Sequence, residues 1–127
     1  MTADQLQERT KKFSLQIILF FEALPKSVAA QVLGKQLLRS ATSVTANYRA
    51  ACRARSKAEF VAKLSIVVEE ADETVLWLEL IDESKIVSDP AIETLKQESR
   101  ELLYIFSASR KSAANAIKQS SNQPIKK

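Results

Sequence analysis

The chain has 127 residues, a formal net charge of +4 and 46% hydrophobic residues, which fits one globular domain. It has one glycine and no Asn-Gly or Asp-Gly pair, which argues against a sheet because tight turns between strands need such residues. Histidine is absent, which removes the commonest general base and every zinc site built with histidine. The composition therefore predicts long helices, and it favours a protein that is not an enzyme and uses no metal or other cofactor.

Cysteine usage and hydropathy bear on the compartment. Cys52 is the single cysteine, so it has no partner for an internal disulfide, which is typical of reducing compartments. The longest unbroken apolar runs, at 17–21 and 75–78, are far shorter than the roughly 20 residues that a membrane-spanning helix needs. Residues 1–12 are polar and do not resemble a signal peptide. We therefore expect a cytoplasmic protein with no membrane association.

The first half of the chain predicts two helices. In the first, at about 6–24, apolar side chains recur every three or four residues, and Pro25 ends it. The second begins after Ser27, a suitable N-cap, and extends to about residue 53. Their core stripes are Leu6, Thr10, Phe13, Ile17, Phe20 and Leu24, and then Ala30, Leu33, Leu37, Ala41, Val44, Tyr48 and Ala51.

The second half predicts two more helices, each with a clear start. Ser56 and Glu59 have the spacing of a capping box, in which each side chain accepts from the other residue's backbone N–H. Asp89 followed by Pro90 fits an N-cap with proline at the first helical position. Their core stripes are Phe60, Leu64, Val67, Ala71, Val75 and Leu78, and then Ile92, Leu95, Ser99, Leu102, Phe106, Ser109, Ala113 and Ala116.

Four such helices with short connections predict an all-α fold, an up-down antiparallel four-helix bundle. We expect the bundle to occupy residues 1–118. The polar residues 119–127 are predicted to be a disordered tail.

Charge is segregated between the second and third helices. Residues 25–55 hold six basic groups and no acid, whereas 56–89 hold nine acidic and three basic groups. At about 100° per residue, Lys35, Arg39, Arg49 and Arg53 lie on one face opposite the core stripe. This basic face has two interpretations, a solvated surface or a binding surface for phosphate. The lack of acids along the helix and the excess of arginine over lysine favour phosphate binding.

The first and third helices each carry a second apolar face. Leu15 and Leu19 lie opposite the core stripe of the first helix. Four apolar residues lie away from that of the third: Ile66, Leu76, Trp77 and Leu80. A broad core would account for part of this pattern. The alternative is an interface between subunits, with apolar side chains at its centre and charges around them.

Several stretches resemble a known family. They are 37–44 (LLRSATSV), 47–49 (NYR), 69–74 (EEADET) and the Trp77–Leu78 pair. Together they resemble the bacterial four-helix-bundle proteins encoded in intervening sequences of 23S ribosomal RNA genes. That family is related to the accessory variability protein of diversity-generating retroelements. The resemblance covers about residues 10–115 and is densest in the second and third helices.

The resemblance carries expectations of its own. It implies that up-down bundles assemble into a barrel-shaped homopentamer, and that the related accessory proteins act with a reverse transcriptase and nucleic acid. Many members have an acidic residue after the arginine that corresponds to Arg49, whereas this chain has Ala50. The basic face therefore lacks that counter-ion, which favours an anionic partner.

Two functions follow from these observations. The leading prediction is a non-enzymatic homo-oligomer that binds RNA, DNA or a nucleoprotein such as a reverse transcriptase through Lys35, Arg39, Arg49 and Arg53. The alternative is a structural scaffold or adaptor, in which the basic second helix contacts a protein surface such as the acidic third helix of a neighbouring subunit. An enzyme or hard-metal site using the third helix's acids is disfavoured, because they are spread around the helix.

Overall fold

The computed structural model describes residues 1–122 and contains four helices within that range. They are α1 (Ala3–Glu22), α2 (Val28–Cys52), α3 (Lys57–Glu83) and α4 (Ala91–Asn122). No strand occurs among these residues. The predicted all-α four-helix fold is therefore confirmed.

The three predicted N-caps are confirmed. The hydroxyls of Ser27 and Ser56 accept from backbone N–H groups three residues further on, at 3.2 and 3.1 Å. Asp89 Oδ1 accepts from the backbone N–H two residues further on, at 2.9 Å. These side chains satisfy donors that the first turn of a helix leaves without partners.

Two helix starts differ from the prediction. Glu59 Oε2 accepts from the backbone N–H of Arg55 at 3.2 Å, one residue before the predicted partner Ser56. α1 begins at Ala3 rather than near residue 6, because Thr2 and Gln5 form a complete capping box. The Thr-x-x-Gln spacing at 2–5 is a signal that the sequence analysis missed.

The helices run antiparallel to their neighbours around one core. Arg9 Nε of α1 donates to Glu98 Oε2 of α4 at 2.8 Å and joins the first and last helices. The predicted stripe of α1 is buried at every position. The apolar core comprises Leu6, Phe13, Ile17, Phe20, Leu24, Ala30, Leu37, Ala41, Val44, Tyr48, Leu64, Val67, Ala71, Leu78, Ile81, Ile92, Leu95, Leu102 and Phe106.

Hydroxyl groups join α2 to both of its neighbours inside the core. The Thr74 hydroxyl of α3 lies 2.9 Å from Ser40 Oγ of α2. On the other side, Thr45 Oγ1 lies 2.5 Å from Ser14 Oγ and donates to the Thr10 carbonyl at 2.9 Å. Buried hydroxyls cost little when they are bonded, so these positions tolerate polar side chains.

The α3 stripe and the end of α4 depart from the prediction. Val75 is half-buried, and Thr74 and Ile81 are fully buried on α3. A search for apolar side chains overlooked Thr74 because its hydroxyl is satisfied inside the core. α4 continues through Asn122, four residues beyond residue 118, where the bundle was predicted to end. Residues 123–127 of the predicted tail lie outside the described residues.

Candidate nucleic-acid interface

All four predicted basic residues lie on the solvent-facing side of α2 and are exposed. They do not form one uniform surface. Lys35 and Arg39 lie in the N-terminal half of the helix, and Arg49 and Arg53 lie at its C-terminal end. The neighbouring helices give the two pairs different surroundings.

Arg39 is occupied by acids of α3 in the same chain. Its Nη2 atom lies 3.3 Å from Glu73 Oε2 and 3.5 Å from Glu70 Oε2. α2 itself carries no acid, as the sequence shows, but acids of α3 offset the basic face at this position. A helical projection of α2 displays charges on α2 alone, whereas the counter-ions come from the antiparallel neighbour.

Glu70 is the least exposed member of this cluster and is half-buried. Its Oε2 atom is buried and has no hydrogen-bond partner among the described residues. Burial, followed by a hydrogen bond with Glu73, raises the pKa of Glu70, and the charge of Arg39 opposes that shift. Arg39 therefore compensates a carboxylate that is poorly solvated, which limits its availability to an outside ligand.

Arg49 and Arg53 lie at the edge facing α1. Together with Thr45 they line a groove of about 170 Å³, whose α1 wall includes Lys11 and Glu8. Within residues 1–122, no carboxylate oxygen lies within 4.0 Å of either guanidinium or of the Lys35 ammonium. Arg49 and Arg53 are therefore open to an anion, with Lys11 across the groove.

Positive charge continues around this end of the bundle, which we call the basic end. The α2–α3 connection lies here, and the C-terminal part of α4 packs beside it. The basic residues of these two segments are Arg53, Arg55, Lys57, Arg110, Lys111 and Lys118. The sequence analysis grouped charges by helix and missed this clustering, because α4 reaches the α2–α3 connection only through the fold.

The opposite end of the bundle, around the α1–α2 and α3–α4 connections, is mainly acidic. Its acids are Glu22, Glu79, Asp82, Glu83, Asp89 and Glu93. Lys96 Nζ lies 2.7 Å from Asp82 Oδ2; this contact lowers the pKa of the Asp82 carboxyl and raises that of the Lys96 ammonium. The bundle is therefore electrostatically asymmetric along its axis.

Four of the five predicted interface residues are exposed. Leu15 and Leu19 on α1 are 55% and 71% exposed, and Ile66 and Leu80 on α3 are also exposed. Trp77 differs: it is half-buried and packs against the core. Its indole Nε1 is buried without a hydrogen-bond partner among the described residues. The helical projection placed Trp77 too far outward, because this large ring folds back over the bundle.

Further exposed apolar side chains escaped the sequence analysis. Ile18 extends the α1 face, and Val28 and Val32 lie on α2. Tyr104 on α4 is 76% exposed. The signal in the sequence was a second set of apolar residues at helical spacing. The sequence analysis considered this signal on α1 and α3 and did not consider it on α2 and α4.

The described residues form neither a metal site nor a membrane-spanning helix. Among residues 1–122, no group of three or more acidic or cysteine side chains is placed to hold a metal ion. No helix in the same range has the length and hydropathy needed to cross a membrane.

These features define an all-α, up-down helical bundle with a basic end and exposed apolar faces. The chain matches the sequence profile of the 23S rRNA-intervening sequence proteins over residues 4–108. It belongs to the 23S rRNA-intervening sequence protein family. The match describes no catalytic activity.

A solved structure is similar over nearly its whole length. It is the crystal structure of a protein of unknown function from the S23 ribosomal protein family of Bacteroides thetaiotaomicron. The two chains share 32% identity with a TM-score of 0.79, over 87% of this chain and 99% of that one. No curated protein matches the chain.

Proposed function

We propose that this protein is a non-enzymatic homo-oligomer that binds RNA or a nucleoprotein through the basic end of its bundle. The observation that carries this proposal is the groove where Arg49 and Arg53 are exposed, adjacent and without a carboxylate within ion-pair distance among residues 1–122. Lys35 and Arg39 have a smaller role than the sequence suggested, because Arg39 is paired with α3.

The chemistry of this surface fits contact with the phosphate backbone. Arginine donates two parallel hydrogen bonds to a phosphate, and one helical turn separates Arg49 from Arg53. Such contacts depend steeply on salt and carry little sequence information. Tyr48 lies in the core and packs on Phe106 with ring centroids 5.0 Å apart, so it does not stack on bases. We therefore expect binding with weak base preference.

Oligomerisation would strengthen a weak individual surface. The exposed faces at Leu15, Leu19, Ile66 and Leu80 are candidates for subunit contact. Five copies in a ring, as the family resemblance implies, would multiply both the field and the avidity of the basic ends. The protein partner that we propose for this assembly is a nucleoprotein such as a reverse transcriptase.

The first prediction is that Arg49→Glu/Arg53→Glu weakens binding of a fluorescein-labelled RNA hairpin by at least about tenfold and reduces the salt slope by about 2. Its matched control is Lys26→Glu/Lys85→Glu, which makes the same charge change at the acidic end with two exposed lysines. Fluorescence anisotropy over a salt series measures both variants. If the control variant weakened RNA binding equally, the effect of Arg49→Glu/Arg53→Glu would come from net charge alone. If the unmodified chain did not bind the RNA, the proposal would be overturned.

Mass should be measured on the same samples by light scattering. We expect about five times the 14.2 kDa chain mass, unchanged in the double variant. A monomer would overturn the oligomer part of the proposal. Loss of mass in the double variant, with no RNA binding by the unmodified chain, would favour a structural scaffold or adaptor instead.

The scaffold has its own supporting observations. Arg39 already pairs with acids of α3, which indicates that the basic and acidic helices suit contact between proteins. The exposed apolar residues of α1 and α3 also fit such contacts. In that case charge reversal at Arg49 and Arg53 would change the assembly and leave no RNA binding to lose.

A further inference from the structure

The basic end contains a cavity, separate from the groove of Arg49 and Arg53, whose apolar wall the proposed function does not use. Its volume is about 550 Å³, and it opens beside the α2–α3 connection. We call it the alanine-lined cavity, after the five alanines in its wall. The lining residues are Ala3, Tyr48, Ala51, Cys52, Ala54, Arg55, Ser56, Lys57, Phe60, Ala113 and Ala116.

Small side chains account for the cavity. Along the stripe predicted to face the core, α4 changes from large buried residues ending at Phe106 to Ala113, which is half-buried, and Ala116, which is exposed rather than buried as predicted. On the facing side, α2 ends with Ala51 and Cys52, so no large side chain fills the space. The last layer of the bundle is therefore underfilled, and apolar surface faces an opening.

The inner wall is largely apolar. Tyr48 packs on Phe106 with a 52° tilt between the rings, and half-buried Phe60 forms a side wall. Burial, followed by a hydrogen bond with Cys52, raises the pKa of Tyr48, so its hydroxyl stays protonated at neutral pH. The cavity thus offers apolar contact with a few neutral polar groups, which is typical of small-molecule sites of about 300–1,000 Å³.

The rim is cationic. Arg55 and Lys57 line the opening and are both exposed. The nearby acid Glu59 accepts from the Arg55 backbone N–H through its Oε2 atom, which keeps this carboxylate at the start of α3. Within residues 1–122, no carboxylate lies within 4.0 Å of the Arg55 or Lys57 side-chain charge. An anionic group at the mouth would therefore find two cations.

We propose that the alanine-lined cavity binds a single-chain carboxylate, with the acyl chain against Phe60 and the alanines and the head group on Arg55 and Lys57. Burying the chain removes apolar surface from water, and the rim selects the sign of the head. Arg55 and Lys57 also belong to the basic end, but this inference does not rest on nucleic-acid binding, because its ligand and its test are separate from those proposed for Arg49 and Arg53.

The test is isothermal titration of the full-length protein with decanoate below its micelle-forming concentration. We expect saturable binding of one decanoate per chain. Acetate, which lacks the chain, should show no saturable binding, and decyltrimethylammonium should bind at least about tenfold more weakly because its head has the opposite charge. Equal binding of the cationic analogue, or no saturable decanoate binding, would overturn the proposal.

Two pairs of variants locate the site. Ala116→Phe should fill the cavity and weaken decanoate binding at least about tenfold, whereas Ala114→Phe, exposed and outside the lining, should not. Arg55→Gln/Lys57→Gln should weaken binding similarly, and Lys26→Gln/Lys85→Gln should not. Circular dichroism melts confirm that each variant is folded. Unchanged affinity in folded Ala116→Phe would place decanoate elsewhere and overturn the assignment.

Discussion

Two stretches of the same α2 face differ although the sequence makes them look alike. At Arg39, Glu70 and Glu73 of α3 approach within 3.5 Å, and the arginine is part of an ion-pair cluster within the chain. At Arg49 and Arg53, the wall of α1 brings a lysine and one glutamate to a groove, and neither arginine has a carboxylate within 4.0 Å among residues 1–122. The first stretch stabilises the fold, and the second is available for binding.

The net charge that the α2 face presents therefore depends on three helices rather than one. α2 packs between α1 and α3, and each edge of its outer face borders a different neighbour. The Thr45 hydroxyl bonds toward α1, whereas Ser40 bonds toward α3. Residues on one edge therefore meet the acids of α3, and residues on the other meet the mixed charges of α1.

The largest expected effect tests whether packing or the ion-pair cluster holds α2 against α3. Leu37→Ala, at a fully buried position, should lower the free energy of unfolding by about 2–5 kcal/mol. Arg39→Ala should cost at most about 1 kcal/mol, because an ion pair that is more than half exposed is screened by water. Urea unfolding of both variants measures the difference. Equal losses of unfolding free energy in the two variants would mean that the ion-pair cluster, rather than the core, holds α2 against α3.

A smaller effect compares the two stretches directly through the same substitution. Arg39→Glu adds a third carboxylate beside Glu70 and Glu73 and should lower the free energy of unfolding by about 1 kcal/mol. Arg49→Glu faces Lys11 and should change it by less than about 0.5 kcal/mol. The urea midpoints of the two variants should lie closer together at high salt than at low salt, because salt screens the repulsion. Similar costs at both positions would remove the distinction drawn between them.

The smallest effect concerns pH. Burial raises the folded-state pKa of Glu70 above its ordinary value of 4.5, so its stabilising contribution is present below that value and is lost as pH rises through the folded pKa. Glutamine carries no charge to desolvate, so Glu70→Gln should melt at the same temperature or slightly higher at neutral pH. At pH below 4.5, Glu70→Gln should no longer melt at a higher temperature than the unmodified chain. A lower melting temperature for Glu70→Gln at neutral pH would mean that attraction to Arg39 outweighs burial.

Much of the fold could be predicted because its signals are local. Ser27, Ser56 and Asp89 cap helices through bonds to residues two or three positions away, so the sequence displays both partners. The α1 stripe is buried at every predicted position because the helical repeat alone places it on one face. Thr74 was missed for the opposite reason, since its partner Ser40 is distant in the chain.

The candidate site was only partly predictable. Exposure of Arg49 and Arg53 follows from their position opposite the α2 core stripe. The pairing of Arg39 and the inward packing of Trp77 do not follow from either helix alone. Both depend on the rotation of α3 against α2, which the full set of core contacts determines.

By itself, the sequence determined the helices, most of their ends and the side of each helix that faces the core. These properties arise from hydrogen bonds and apolar spacing within a few residues. Only the tertiary structure decided which charges are neutralised, where the cations of α2, α3 and α4 converge, and that alanines leave a cavity among them. Ion pairs and cavities form between side chains far apart in the chain, so their existence depends on how the helices pack rather than on any one of them.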